Sequence, residues 1–330
     1  MNCVEKEYKS IITRIGFSLL FFLLLFNLLT GGTQIIGMLL QELVSESDIM
    51  YIVTDLASSL AYLFSFILPV VFFSFISRGI KTHPMNLTLV LPSPHSWLKL
   101  TAIVWAGVAV IIPMAYLNSL IFPVTADTST ELFGLDFSEP YKLVLSMIST
   151  AIVPAFAEEF LFRGMIVSNI KPYSKSAAVI ISAVAFGLMH QNPMQLLYAT
   201  AAGLVLGFIY VETESIWCCI TLHFINNFIS VMQSYFSYIL GENTANTVLF
   251  FFDVFVIVGG MICAVVLLGG LKKRKREKEI GVYGVYDKAS DGYSEKINFV
   301  KKGFLAPAFL IFVILCAVQS ALNGIMLSTI

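Results

Sequence analysis

Apolar runs of about twenty residues recur along this chain between short polar breaks, and few folds accept that pattern. A helix needs ~20 mostly apolar residues to cross a bilayer. By that measure there are about nine runs, near 15–29, 56–77, 100–121, 141–169, 176–190, 194–211, 216–240, 247–270 and 304–326. Of 330 residues, 58% are hydrophobic and 12% charged, against about 25% charged in a soluble domain. So few charges cannot cover a globular surface, so the expected fold is all-α, a polytopic helical membrane protein with a core bundle of helices four to seven. The first run reads as an anchor, since it lacks an A-x-A-like cleavage site and more spans follow. Residues 31–50 read as a separate amphipathic stretch, and 271–303 as a basic cytoplasmic linker.

Lys and Arg in the short loops set the expected orientation. With the N-terminus in the cytoplasm, Arg78, Lys81, Lys171, Lys175 and the 272–278 cluster fall inside. The acidic stretches at 42–48 and 124–140 then fall outside. Glu212 and Glu214 dissent, as an acidic loop on the basic side. The expected location is the plasma membrane, as a multi-pass protein. A net charge of −1 gives no field toward nucleic acid. The five cysteines form no C-x-x-C pair and read as small buried hydrophobes.

Against this apolar background one stretch stands out: Ala157-Glu158-Glu159-Phe160-Leu161-Phe162-Arg163-Gly164. Ionisable groups at membrane depth are costly and mark function when partners can be named. Glu159 and Arg163 are four apart, acid first, and share a helix face in the favourable order. They read as a structural pair. Glu158 is turned about 100° away and has no local partner. The break at Lys171–Lys175 makes the fourth and fifth runs a hairpin about Ser174, from which Glu158 and His190 stand equally far. The two are expected to meet at one depth, with Phe186 on the face of His190. His223 and Asn227 lie one helical turn apart on the seventh run. Glu158, His190, His223 and Asn227 can thus share a buried polar pocket. Singly, each has a plainer reading: an intramembrane His or Asn (Asn226 included) is ordinary interhelical glue. The isolated Asp253 reads as structural.

In combination, Glu158-Glu159-x-x-x-Arg163, Phe186-x-x-x-His190 and His223-x-x-x-Asn227 resemble the three motifs of the CPBP/Abi family, the CAAX prenyl endopeptidases and bacteriocin-processing intramembrane proteases. The resemblance spans about residues 140–240, with flanking helices in 1–139 and 241–330. It implies a glutamate-type endopeptidase acting on a peptide or membrane protein in the bilayer. Glu158 and His190 would activate water, and His223 and Asn227 would stabilise the oxyanion. Glu159, Arg163 and Phe186 would support them. No cofactor is expected. The alternative is a metalloendopeptidase with Zn2+ on Glu158, His190 and His223, a donor set that suits zinc. Two other classes compete: an ion-coupled transporter using Glu158 and His190 as a relay, and a non-catalytic immunity or scaffold protein.

Overall fold

The computed structural model describes residues 3–43, 48–83, 87, 94–121, 135–279 and 298–328. Among these there are ten helices and no strand: α1 (Cys3–Leu43), α2 (Asp48–Ile76), α3 (Pro94–Ile121), α4 (Pro140–Ile170), α5 (Lys175–Met189), α6 (Pro193–Thr213), α7 (Ile216–Leu240), α8 (Glu242–Glu279), α9 (Phe299–Phe304) and α10 (Pro307–Ser328). Eight are long and apolar enough to cross a membrane. The ninth expected span, α5, has only 15 residues. At 1.5 Å per residue it reaches about 22 Å, short of the ~30 Å hydrocarbon core. It lies in the middle of the bundle, where Ala177, Ala178, Ile181, Ser182, Ala183 and Ala185 are all fully buried, so its length need not match the lipid.

Two expected boundaries moved. The first anchor and residues 31–43 of the amphipathic stretch form one helix, α1, which runs through Gly31 and Gly32, while 48–50 open α2 and 44–47 lie outside the described residues. No proline interrupts it, and the Thr30 and Thr33 hydroxyls bond back to the carbonyls of Phe26 and Thr30. The basic run 272–278 continues α8 to Glu279 instead of opening a linker at 271. Lys, Arg and Glu are good helix formers and nothing there breaks the ladder. Much of the remaining linker, 280–297, lies outside the described residues, and 299–304 is helical.

Large apolar side chains such as Leu24, Leu28, Leu120, Phe251, Val265 and Val266 stand at the surface. A soluble monomer rarely exposes so much apolar area, and a lipid-facing belt accounts for it. The interior face of α1 carries Tyr8, Ile11, Ile12, Ile15, Leu19 and Phe22, a stripe at helical spacing. It packs on α2 and α10. A Cβ on Gly16 would lie 2.5 Å from the backbone nitrogen of Phe309, so only glycine lets α1 and α10 approach this closely.

The α5–α6 hairpin is also closely packed. A Cβ on Gly203 would come within 2.9 Å of Ala183 Cα. Its apex, Gln191-Asn192, is non-helical backbone, with Gln191 at φ 52. Such backbone is tolerated at membrane depth only when protein satisfies it. Asn323 Nδ2 of α10 donates to the Gln191 carbonyl at 2.7 Å, Asn118 Nδ2 of α3 donates to that of Met194, and Asn192 Oδ1 accepts from Met194 N at 2.9 Å.

Gly203→Leu forces α5 and α6 apart and should cost about 1–3 kcal/mol, the usual price of overpacking. Thermal unfolding in detergent should show a clear drop, while the half-exposed Leu204→Ala shows little. Equal unfolding of both variants would contradict the close packing.

Candidate active site

The site grows from an irregularity in α4. Two π-helical segments, Met147–Ile152 and Phe160–Val167, frame the α-helical Val153–Glu159. In them, Val153 N bonds Ile148 O and Ser168 N bonds Arg163 O, five residues back. Pro154 is one cause. It has no N–H, so the bond that α-helical geometry would send to the Thr150 carbonyl cannot form. That carbonyl instead accepts Asn227 Nδ2 of α7 at 3.1 Å. A proline in α4 thereby fixes an asparagine of another helix. Segments of π-helix recur at functional sites for this kind of reason: they free backbone groups and re-aim side chains.

Glu159 is fully buried, and its Oε1 accepts two bonds. Arg163 Nη1 donates at 2.8 Å, and His223 Nδ1 lies at 2.9 Å. Arg163 Nη2 also reaches the Gly203 carbonyl at 3.2 Å, and its guanidinium carbon stands 4.8 Å from the centre of the Phe186 ring. The expected Glu159–Arg163 pair is thus present, with a further partner in His223. A carboxylate only accepts, so His223 carries its proton on Nδ1 and turns Nε2 to the cavity.

Glu158, 3% exposed, meets different neighbours from those expected. Its Oε1 accepts the Tyr62 hydroxyl of α2 at 2.5 Å, and its Oε2 lies 3.9 Å from His223 Nε2. No hydrogen bond joins it to His190. Among the described residues that Oε2 has no hydrogen-bond partner, although it is buried. His190 caps the end of α5, and its Nδ1 donates to the Phe186 carbonyl at 2.8 Å. Its Nε2 is therefore free to accept, as that of His223 is when its ring carries a single proton. The Phe186 ring packs edge-on to both imidazoles, with centroids 5.3 Å from His190 and 5.8 Å from His223. Asn227 Oδ1 accepts from Asn226 Nδ2 at 3.2 Å, and Asn226 also donates to the Tyr198 hydroxyl.

All four expected polar residues line one cavity of about 50 Å³, together with Phe186, Tyr198 and Asn226. That volume holds water. Among the described residues no three His, Cys, Asp or Glu side chains are arranged to hold a metal ion. Glu158, His190 and His223 share the cavity, with Glu158 Oε2 3.9 Å from His223 Nε2. Asp253 sits elsewhere, bonded to the Tyr116 hydroxyl at 2.7 Å and to Gln233 at 3.3 Å.

Tyr62 and Tyr198 were missed. Neither carries a local motif, and Tyr62 is 96 residues from the carboxylate it bonds. Pro154 did offer a signal, since a proline within an apolar helix leaves a carbonyl four residues earlier without its donor.

Comparison with known proteins bears on this part of the chain. Residues 140–229 match the family model described as "Type II CAAX prenyl endopeptidase Rce1-like". A Bacillus subtilis (strain 168) protein described as "Putative membrane peptidase YdiL" is 37% identical over 93 residues, covering 27% of this chain. The chain matches 37% of that relative's length. No solved structure matches this chain. Both sequence comparisons support the resemblance to CPBP/Abi-family membrane proteases.

Breaking a buried ion pair from one side costs about 3–5 kcal/mol, because the remaining charge stays unpaired. Arg163→Met should therefore unfold at markedly lower temperature than wild type. Adding Glu159→Gln should recover part of that loss. Simple additivity of the two changes in thermal unfolding would show that the pair is not coupled.

Proposed function

We propose that the chain is an intramembrane endopeptidase that hydrolyses a peptide bond in a membrane-associated peptide or protein. The observation that carries this reading is the unpartnered Glu158 Oε2, buried in a cavity with the free Nε2 atoms of two histidines. A buried acceptor without a protein donor costs about 1–3 kcal/mol. A water between Glu158 Oε2 and His223 Nε2 would satisfy it, and their separation of 3.9 Å leaves both within reach of one oxygen.

In this reading Glu158 takes a proton from that water, with His190 Nε2 accepting from the same molecule to orient it. The resulting hydroxide adds to the scissile carbonyl. The carbonyl oxygen gains a negative charge and is met by His223 and Asn227. Asn227 spends one amide hydrogen on Thr150, so the other remains for the oxyanion. Donation from His223 Nε2 requires the doubly protonated ring, since Nδ1–H is committed to Glu159, whose carboxylate is its counter-charge. Glu158 then returns its proton to the leaving amine as the C–N bond breaks. Glu159 and Arg163 act as positioning residues. No step needs a cofactor.

The same reading keeps residues 140–240 as the hydrolytic core within a plasma-membrane protein whose N-terminus is cytoplasmic. Two contacts support this orientation by gathering basic loops at one end. His83 N donates to Asn169 Oδ1 at 2.8 Å, and Lys171 Nζ bonds Glu214 Oε1 at 2.8 Å. Of the two acids in the loop that dissented, Glu214 is thus paired with a lysine of the 171–175 turn. That ammonium also holds the Glu214 carboxyl below its usual pKa.

Glu158→Gln keeps the shape and the Tyr62 bond but removes the base, which is worth about 10²–10⁴ in rate. Comparing membrane peptides by mass spectrometry in cells carrying wild type or Glu158→Gln should reveal cleavage products that only the wild type makes. Identical peptide profiles at equal levels of folded protein would sink the reading.

A further inference from the structure

We propose that the face of α2 carrying Asp55, Ser59 and Tyr62 is a water route from the Asp48 end of the bundle to Glu158. The proposal rests on the peptidase reading for its use, since each bond hydrolysed consumes one water at a carboxylate buried among helices.

The three residues stand at i, i+4 and i+7, on one face of α2. The partners of that helix on α4 are polar at four successive levels. Tyr141 Oη donates to Asp48 Oδ1 at 2.8 Å, and the Lys142 ammonium sits 4.8 Å from the Tyr51 ring centre. Deeper in, Ser149 lies beside Asp55, its hydroxyl bonded back to the Leu145 carbonyl at 3.0 Å, and Tyr62 bonds Glu158. Tyr62 is the middle residue of α2, so the last level is halfway along the helix.

Packing between membrane helices is ordinarily apolar or closed by complete hydrogen bonds. Here three buried atoms on this face and at its end have no hydrogen-bond partner among the described residues: Asp55 Oδ2, Ser59 Oγ and Glu158 Oε2. Ser59 is 8% exposed and Glu158 3%. Buried polar atoms left without partners are where ordered waters bind. From Asp55 to Tyr62 the helix rises about 10 Å, a distance that three or four waters in file span at ~2.8 Å each. The file ends on the carboxylate that the mechanism needs solvated. The Met147–Ile152 π segment of α4 packs against α2. A separate route also leaves the cavity free to hold a peptide while water arrives from another side.

The test uses the full chain in membranes, with its five native cysteines replaced by alanine. Ser59→Cys is compared with Leu60→Cys, whose site is half-exposed on the apolar surface. Ag⁺ is the probe, being small enough for a file of waters and excluded from lipid. After exposure the protein is unfolded and its remaining free thiols are alkylated and weighed. Ser59→Cys should be consumed by Ag⁺ and Leu60→Cys spared. A Ser59→Cys thiol as inert as that of Leu60→Cys overturns the route, whatever the enzyme does. In the activity arm, Ser59→Leu should lower kcat roughly tenfold with KM unchanged, and Ser59→Thr should restore it. Wild-type turnover in a folded Ser59→Leu protein would refute the stripe as the supply line. If Glu158→Gln cleaves like wild type, the peptidase reading fails while the Ag⁺ result still decides whether water reaches Ser59.

Discussion

Everything at the centre of this bundle hangs on one oxygen, Glu159 Oε1. It accepts from Arg163 within α4 and from His223 on α7. A carboxylate buried at 0% exposure survives only with such partners. The consequences spread outward. Arg163, held by Glu159, reaches α6 through the Gly203 carbonyl and sits over Phe186 of α5. Phe186 in turn accepts His190 through its carbonyl and packs against both imidazoles. One ion pair therefore ties α4, α5, α6 and α7 together and sets which nitrogen of each histidine faces the cavity.

The second constraint is a bond that cannot form. Without an N–H at Pro154, α4 cannot keep a regular ladder, and the released Thr150 carbonyl is taken by Asn227. The histidine and asparagine of α7 are thus anchored one turn apart by two different devices of α4, a carboxylate and a bare carbonyl. Neither anchor occupies the whole of its partner: His223 keeps Nε2 and Asn227 keeps one amide hydrogen. Support and chemistry are divided atom by atom within the same side chains.

The spans were legible because apolar length is a direct physical demand of the bilayer, and the Glu159–Arg163 pair because i, i+4 spacing is local. The meeting of Glu158 with His190 was inferred from equal hairpin arms. That arithmetic brought both to one cavity but not to each other. It assumed a regular α4 and could not see the π segments that shift side chains around the helix. Tyr62 was illegible for a different reason: its role exists only through α2 packing beside α4, and a tyrosine in an apolar run carries no mark of that. Helix ends failed at Gly31-Gly32, where α1 continues against the low helix propensity of glycine, and at the basic end of α8, where propensity mattered more than polarity.

The contact of α1 with the distant end of the chain has a temporal side. Tyr8 donates to the Phe299 carbonyl at 2.7 Å across 291 residues of sequence, and Gly16 admits α10 to the same helix. Ribosomes add about 5–20 residues per second, so α1 waits roughly 15–60 s for its partner. During that interval its buried stripe must face lipid or another protein. The helices that hold the cavity are all made before α10 is. The clasp is therefore a late event in the life of the molecule, closed after every helix of the cavity has been made.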